Sequence, residues 1–334
     1  MMNFKENMSV PVFSIIMPVY NAEKTLEKSL SSILRQTFKE YEVIAINDGS
    51  GDNSLEILKH FSNRFDTMKI IDQDNSGPGK ARNRGILEAR GEYVAFLDAD
   101  DYWSDDFLEE VLKASGNHSA DYIYVEMVKE TSQGRVIART NVARNRGITK
   151  EQMICRQMTG QMPWGMSKVI RRQILVESGS AFAELSVGEE NIFSFEALKA
   201  SKKIAFVDKI VYHYVQNQDG QHRKGSMDPW NKLVMSFKEH LIDSNEYGKY
   251  ETTINSLALK AMSICIYRCA LNYSPNEAKR EINNCYMRYY REYDFSRINK
   301  DALNKSTLII YYITKFHLEW ILILLSRLRS AICG

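Results

Sequence analysis

The sequence predicts the α/β fold class, with a mostly parallel sheet flanked by helices and then a helical C-terminal region. Over the first hundred residues, buried-strand patterns alternate with amphipathic-helix patterns, and the connections between them are short. This alternation is typical of parallel strands covered by helices on both faces. From Pro229 onward the pattern is helical and rich in Tyr and Met. We therefore expect one domain over residues 1–228 and a helical region over 229–334.

Four strands and three helices are predicted before residue 104. Asn21 is expected to cap the first helix, in which apolar side chains recur at helical spacing from Leu26 to Leu34. The predicted strands cover 12–20, 41–48, 68–74 and 92–98, and Pro18 is expected to end the first of them. The second and third helices cover 55–61 and 80–90.

The elements predicted after residue 104 are shorter. Ser104 is expected to cap the next helix, and Thr149 with Gln152 forms a capping-box pattern that predicts another helix start. The predicted strands cover 121–128, 135–140, 167–172, 203–208 and 210–215, and the predicted helices include 105–115 and 191–201.

Polar residues and glycines follow each of the first four predicted strands, at 18–20, 48–50, 74–79 and 98–101. In open parallel sheets, ligands bind beyond the carboxyl ends of the strands. We therefore expect the functional site at this edge of the sheet.

Three carboxylates, Asp98, Asp100 and Asp101, follow the fourth predicted strand within four positions. Like charges so close repel one another, so either solvent or a cation must offset them. The Asp-Ala-Asp pattern suits Mn²⁺ or Mg²⁺, because these hard cations prefer oxygen ligands and leave room for phosphate oxygens. We predict a divalent-metal site here, and a solvated acidic turn is the alternative.

The run NSGPGKARNRG offers glycine backbone at Gly77 and Gly79, and Arg82 near a helix N-terminus, which suits a phosphate group. It mimics a dinucleotide fingerprint, but Arg82 occupies the third glycine position and the run opens the third βα connection. A dehydrogenase is therefore disfavoured. The absence of a GxxxxGK[ST] motif gives a Walker-type NTPase no support.

Two carboxylates elsewhere are candidate contacts with a substrate. Asp48 lies at a predicted strand end, where it could bind a base or sugar or belong to an ordinary helix-capping turn. Glu189 and Glu190 lie at a predicted helix start, where the helix dipole favours ionised carboxylates. Either could be a general base, with wet surface acids as the alternative.

Composition excludes several other classes. With 44 basic and 42 acidic residues the net charge is +2, which disfavours nucleic acid as a partner. Five cysteines without a CxxC pair indicate free thiols in a reducing cytosol. The first residues lack the apolar region of a secretory signal peptide.

The tail at 307–330 is apolar and amphipathic. Between residues 308 and 325 only Lys315 and Glu319 carry full charges, and two charges at mid-span argue against a transmembrane helix. We expect an in-plane helix at a membrane interface, with Trp320 at headgroup level, or else a core helix or oligomer contact.

The motifs SIIMPVYNAEKTLEKSLSSILRQTF, NDGSGDNS, SGPGKARNRGILEARGEYVAFLDADD and GEENIFSFEALKA resemble, in this order, the family 2 glycosyltransferases of GT-A fold. The resemblance is dense from Phe13 to Trp103, thinner to Val215 and absent afterwards. It implies a GT-A type, Rossmann-like sheet whose 12–103 half binds the nucleotide and whose 104–228 half binds the acceptor. Such enzymes move a sugar from a nucleotide donor, usually a UDP-sugar, to an acceptor hydroxyl with inversion.

The resemblance also assigns donor contacts to matched positions. Pro18 and Tyr20 would border the nucleotide, Asp48 would contact the base and Arg82 would help to bind the nucleotide. Asp98 would bind the ribose side.

Metal binding and proton transfer are the remaining roles that the resemblance implies. Asp100, with Asp101 adjacent, would hold Mn²⁺ or Mg²⁺ on the diphosphate. The family's base is commonly the Asp of a Glu-Asp pair, and this chain has Glu190 there, one methylene longer. Glu189 is the alternative base.

Two further regions depart from the family pattern or lack a clear match. Many relatives have Arg and later Ser after the "YHY"-like strand, in a loop over the diphosphate, whereas here Val215 and Gln216 follow. The candidate substitutes for the missing loop residues are His213, His222, Arg223 and Ser226. Trp164 lies elsewhere in the sequence, and it could form an acceptor wall by stacking on a sugar or be a core residue.

The resemblance therefore implies an inverting, metal-dependent glycosyltransferase, which we expect to be cytoplasmic and peripheral at the inner face of the cell membrane. Its acceptor would be a glycan or a lipid-linked surface polysaccharide. A catalytically silent nucleotide-sugar-binding or scaffold protein of the same fold is the alternative. A sugar nucleotidyltransferase would need a Gly-rich triphosphate-binding loop near the N-terminus, and the segment IIMPVYNAEKT does not provide one.

Overall fold

The computed structural model describes residues 10–163, 165–185, 188–216, 228, 230–316, 320–321 and 324. The strands are β1 (Phe13–Val19), β2 (Tyr41–Asp48), β3 (Met68–Gln73), β4 (Tyr93–Phe96), β5 (Tyr102–Trp103), β6 (Tyr122–Thr131), β7 (Val136–Arg139), β8 (Lys168–Arg171) and β9 (Ile204–Gln216). The helices are α1 (Leu26–Leu34), α2 (Ser54–Ser62), α3 (Pro78–Glu88), α4 (Phe107–Ala114), α5 (Lys150–Met158), α6 (Arg172–Ser178), α7 (Glu189–Ala200), α8 (Asn231–Asp243), α9 (Tyr247–Asn272), α10 (Pro275–Glu292) and α11 (Lys305–Lys315).

The chain divides into two compact units. The first comprises Met1–Gly147, Pro163–Glu184 and Ile192–Gln218, and the second comprises Ile148–Met162, Leu185–Asn191 and Asp219–Gly334. All the strands of the described residues belong to the first unit. The predicted boundary at Asp228 stays a prediction.

The first unit contains one sheet with the strand order β3-β2-β1-β4-β8-β6-β9-β5, and β7 pairs with β6. β1, β2, β3 and β4 are parallel, whereas β8 is antiparallel to both of its neighbours. Nearly every residue of β1 and β2 is buried, as expected for strands covered on both faces. The predicted α/β class, with a helical region after it, is confirmed, but the sheet is mixed rather than mostly parallel, because β5, β7 and β8 pair only antiparallel with their neighbours.

Three details differ from the sequence-based expectations. β1 continues through Pro18 to Val19, because its ladder with β4 ends at Ile16 and the missing N–H of Pro18 falls beyond it. Asn21 adopts a left-handed conformation (φ 48°) instead of capping α1, for which Thr25 is the N-cap residue. Ser104 does not cap α4, whose N-cap residue is Asp106.

The two strands predicted at 203–208 and 210–215 form one strand, β9. Its pairing with β6 jumps from Val125↔Val207 to Glu126↔Ile210, which leaves Asp208 and Lys209 as a bulge. Both bulged residues are exposed, so two consecutive polar residues gave the appearance of a turn in the sequence.

The second unit is helical in its described residues. α9 packs against α5, α8, α10 and α11, and capping boxes begin α5 at Thr149 and α10 at Ser274. Among the described residues, α9 is the one helix long and apolar enough to cross a bilayer. Since 72% of its most apolar window is buried inside the protein, it has the character of a central packed helix.

Gly85 on α3 allows this helix to lie close to the sheet. A Cβ at this position would overlap the Ile16 side chain and approach Ile46 Cδ1 to 3.1 Å. We expect Gly85→Ala to lower the free energy of unfolding by about 1–3 kcal/mol, measured by denaturant titration. Gly248→Ala is the control, because Gly248 has open space around it in a helix. Equal effects of the two variants would contradict this account.

Candidate active site

The site is built where the parallel strands β1, β2, β3 and β4 end in the first unit. Their register aligns Val19 with Asn47 and Asp48 with Gln73, so the loops that follow start at one edge of the sheet. Pro18 is partly exposed, and Tyr20 is 48% exposed just beyond β1. The edge predicted from the strand tails is therefore the one that carries the polar loops.

Asp48 shapes the loop that precedes α3. Its Oδ1 accepts hydrogen bonds from Gln73 Nε2 (2.8 Å), Ser76 N (2.9 Å) and Ser76 Oγ (3.0 Å). Its Oδ2 accepts one from Gly77 N at 2.8 Å, where the backbone has a φ of 90° that favours glycine. The side chain is buried, and its predicted contact with a base stays a prediction.

The loops after β1 and β2 are joined by hydrogen bonds. Asn21 Oδ1 accepts from Gly51 N at 2.8 Å, and Asn21 N donates to Ser50 Oγ at 3.1 Å. Ala22 N donates to Ser54 Oγ at 2.8 Å, which adds a third link. These bonds hold the segment that carries Tyr20 in one position relative to the loop after β2.

Arg82 and Asp98 form an ion pair at this edge. Arg82 Nη2 lies 2.6 Å from Asp98 Oδ1, and the side chains are 6% and 27% exposed. The Arg82 guanidinium also lies over the Phe182 ring at 5.3 Å. Asn83 exchanges two hydrogen bonds with the backbone of Phe182, which fixes this ring beside Arg82. Phe182 is a site neighbour that the sequence reasoning missed, because it lies about a hundred residues away in a segment without a motif.

The three carboxylates after β4 differ in exposure. Asp98 and Asp100 are partly exposed, whereas Asp101 is 1% exposed. Asp101 Oδ2 accepts from Tyr212 OH (2.8 Å) and Oδ1 accepts from Val215 N (2.9 Å). Burial, together with the charges of Asp100 and Asp98, raises the pKa of Asp101 well above its ordinary value. Asp101 is thus a structural anchor of β9, and Asp98 and Asp100 are the two carboxylates of this cluster with partly exposed side chains.

The donor set at Asp98 and Asp100 suits a divalent cation. Both are carboxylates in a tight turn, closed by the hydrogen bond from Asp101 N to Asp98 O at 3.0 Å. Ser29 Oγ donates to the carbonyl oxygens of Ala99 (2.9 Å) and Asp101 (2.5 Å), which holds the turn in place. Hard oxygen donors with partial solvent access are what Mn²⁺ and Mg²⁺ prefer.

His213 lies in a separate polar cluster of the first unit. Its ring stacks on Tyr102 at 4.4 Å, and its ring nitrogens contact Ser104 Oγ (3.2 Å) and a Glu130 oxygen (3.4 Å). Burial lowers its pKa. These contacts hold the His213 ring in place, and its role as a substitute for a loop residue stays a prediction. The other proposed substitutes, His222, Arg223 and Ser226, lie outside the described residues, as does Trp164.

Glu189 and Glu190 form the first turn of α7, as predicted. Within the first unit, Phe193 of this helix stacks on Phe182 at 4.1 Å and meets Phe96 of β4 edge-on at 5.7 Å. This aromatic packing fixes α7 from Ile192 onward. The roles of the two glutamates stay predictions.

Comparisons with known proteins agree with this architecture. Residues 14–179 match the model of the family described as Glycosyl transferase family 2. The chain is 27% identical to the glycosyltransferase EpsJ of Bacillus subtilis (strain 168) over 286 residues. The aligned region covers 82% of this chain and 83% of EpsJ. It is 26% identical over 299 residues to the poly(ribitol-phosphate) beta-glucosyltransferase of Bacillus spizizenii, covering 88% of this chain and 42% of that relative.

Two solved structures share the fold. Residues 1–349 of Staphylococcus aureus TarS, in complex with UDP-GlcNAc, superpose with a TM-score of 0.58 at 20% identity, covering 85% of this chain and 93% of that one. The mannosyltransferase PcManGT of Pyrobaculum calidifontis, in complex with GDP-Man and Mn²⁺, gives 0.54 at 16% identity, covering 96% and 88%. The chain belongs to glycosyl transferase family 2 and has the GT-A fold, as the motifs predicted.

Proposed function

We propose that this protein is an inverting glycosyltransferase that moves a sugar from a UDP-sugar to an acceptor hydroxyl. The observation that supports this best is the Arg82–Asp98 ion pair, two residues before Asp100, at the carboxyl edge of the parallel strands, where open sheets of this kind bind their ligands. TarS was crystallised with UDP-GlcNAc and with UDP, which favours UDP as the nucleotide.

In this reaction the protein positions the donor through the edge of the sheet. Tyr20 and Pro18 would border the nucleotide, and Asp98, held by Arg82, would bind the ribose side. Asp100 would hold Mn²⁺ or Mg²⁺, which when bound would offset the negative charge that grows on the diphosphate.

Proton transfer is assigned to α7. Glu190 would accept the proton of the acceptor hydroxyl, and the acceptor oxygen would bond to C1 of the sugar on the face opposite the diphosphate. The C1–O bond to the diphosphate would break in the same displacement, so the anomeric centre inverts and the nucleoside diphosphate leaves. Glu190 lies in the first turn of α7.

For the acceptor we propose a glycan or a lipid-linked surface polysaccharide. The support is that two relatives, from Bacillus spizizenii and Staphylococcus aureus, are poly(ribitol-phosphate) glycosyltransferases. Enzymes of this kind would work in the cytoplasm at the inner face of the cell membrane.

We further propose that the tail touches this membrane. Five apolar side chains at helical spacing in and beyond α11 are exposed, by 43% to 64%. Exposed basic side chains lie in the same part of the chain, and we assign four of them, between residues 291 and 315, to contact with an anionic lipid surface. The apolar residues are Ile309, Tyr312, Phe316, Trp320 and Leu324, and the basic ones are Arg291, Lys300, Lys305 and Lys315.

Co-sedimentation with vesicles of anionic lipid tests the membrane contact. We expect Phe316→Glu with Trp320→Glu to release most of the protein from the vesicles, because charged side chains replace the exposed apolar ones. Met287→Glu is the matched control, since Met287 is a 75% exposed apolar residue of α10. If the double variant and deletion of residues 308–334 leave binding unchanged, the tail does not contact the membrane.

Thermal shift with UDP, with and without Mn²⁺, tests the donor site. UDP at about 100 times its Kd should add about 2.7 kcal/mol to the free energy of unfolding, and we expect this gain only with Mn²⁺. Arg82→Ala should abolish the shift, whereas Arg84→Ala, on the exposed side of α3, should keep it. A flat response in the folded protein to UDP and other nucleotides would favour a silent scaffold of the same fold.

A further inference from the structure

Two buried thiols and one carboxylate converge in the helical unit, outside the proposed active site, and a third buried thiol lies beside one of them. Cys265 and Cys269 lie one turn apart on α9, and Cys285 lies on α10, with 2% to 3% exposure each. Asp228, which precedes α8, has a 7% exposed side chain. The ligand atoms of Asp228, Cys265 and Cys285 all lie within 4.8 Å of one another.

We propose that Asp228, Cys265 and Cys285 bind a structural Zn²⁺ ion, and that Cys269, which bonds Cys265 but lies outside this group of three, turns its thiol toward the ion as the fourth ligand. Zinc is bound by thiolate sulfur at about 2.3 Å and by carboxylate oxygen at about 2.0–2.2 Å, in a tetrahedral arrangement. This geometry places two sulfur ligands about 3.8 Å apart. The three ligand atoms would therefore need to move inward by roughly an ångström or less.

Outer contacts already orient the carboxylate. Arg288 Nη2 lies 2.6 Å from Asp228 Oδ2 and 4.0 Å from Cys265 Sγ, so the guanidinium would keep the carboxylate contact and leave the sulfur when the ion binds. Tyr289 OH donates to Asp228 Oδ1 at 2.9 Å. Cys285, Arg288 and Tyr289 occupy one face of α10, at spacings of three and four residues. Hydrogen bonds from outer residues that fix a metal ligand are a regular feature of zinc sites.

The charges of the cluster also suit zinc. Without metal, the Asp228 carboxylate and the Arg288 guanidinium neutralise each other and the thiols are uncharged. Binding Zn²⁺ while Cys265 and Cys285 release their protons keeps the buried cluster neutral. If Cys269 also loses its proton, one negative charge remains. A buried group of charges is tolerated only when it is paired in this way.

A reactive thiol is a weaker interpretation of the same residues. The hydrogen bond from Cys269 lowers the pKa of the Cys265 thiol, but the bond with Cys285 and burial outweigh it and raise that pKa to about 12. Nucleophilic cysteines are instead partly exposed and have lowered pKa values. The bound ion would join α9, α10 and the segment that enters α8, so we expect a role in stability.

Metal analysis of the full-length protein, purified without chelator, tests the proposal. We expect about one zinc per chain, lost in Cys265→Ser and Cys285→Ser and much reduced in Asp228→Asn. Cys155→Ser is the matched control, because this thiol lies on α5 and is bonded to Thr253 instead. Asp100→Asn should also retain zinc, so the result does not depend on the proposed catalytic metal.

Cobalt substitution gives a second measurement that needs no variant. Co²⁺ added to the zinc-free wild-type protein should produce a sulfur-to-cobalt charge-transfer band and the visible bands of a tetrahedral site. A chelator should lower the Tm of the wild-type protein by several degrees and leave Cys285→Ser unaffected. The proposal is overturned if the folded protein shows no cobalt bands, if the serine variants keep their zinc, or if mass spectrometry finds a Cys265–Cys285 disulfide.

Discussion

Glu190→Gln is expected to lower kcat for sugar transfer by a factor of about 10² to 10⁴ and to leave the fold intact. Glutamine keeps the size of the side chain but cannot accept the proton of the acceptor hydroxyl, and positioned bases contribute rate factors of this order. The measurement is steady-state transfer with the UDP-sugar that stabilises the protein most. The Kd of UDP with Mn²⁺ should stay unchanged, because Glu190 is assigned no donor contact.

Glu189→Gln is the matched control for this variant. It removes the same charge from the same first turn of α7, so loss of dipole stabilisation affects both variants equally. We expect less than a tenfold decrease in kcat. If Glu189→Gln is the inactive variant, the base is Glu189. If both variants keep full turnover, neither residue is the base and the proton goes elsewhere.

Glu190→Asp separates the effect of the carboxylate itself from the effect of side-chain length. It restores the residue that family members commonly carry and keeps a carboxylate, but it shortens the side chain by one methylene. We expect intermediate activity, above that of the glutamine variant, because a base displaced by about 1 Å loses part of its rate factor.

The sheet edge that carries the site could be predicted because its causes are local. Parallel strands buried on both faces are continuous apolar runs, so β2 was predicted with the bounds that the structure shows. The position of the polar tails at one edge of the sheet then follows from strand direction alone, since parallel strands end at the same edge. Asp98 and Asp100 were predicted from this placement, and the structure describes both at the end of β4 as partly exposed side chains.

What the sequence could not supply depends on contacts between distant segments. Nothing near Asp101 indicates that Tyr212 and Val215 would bury it, 111 and 114 residues later. Asn21 has a strong capping preference, but the amide of Gly51 competes for its side chain and draws the backbone into a left-handed conformation. β8, only four residues long, pairs between β4 and β6, and four residues carry too little pattern to fix a partner.

Asp100→Asn is expected to abolish the gain in UDP binding that Mn²⁺ gives, and to lower kcat by a factor of about 10² to 10³. The estimate rests on the loss of one electrostatic contribution to a developing charge. The measurements are the thermal shift with UDP, with and without Mn²⁺, and the rate of transfer. Asp105→Asn is the control, because this exposed aspartate pairs with Arg35 and should change neither.

The Tm of the metal-free protein then distinguishes Asp100, the proposed metal ligand, from Asp101, the structural anchor of β9. Asp100 adds to the like charge that raises the pKa of buried Asp101, so Asp100→Asn removes a repulsion and should not lower the Tm. Asp101→Asn turns an amide group toward Tyr212 or Val215, both of which donate hydrogen bonds. It should cost about 1–3 kcal/mol and lower the Tm. A lower Tm for Asp100→Asn with unchanged Mn²⁺ dependence would contradict the metal role, because it would show that Asp100 only supports the turn after β4.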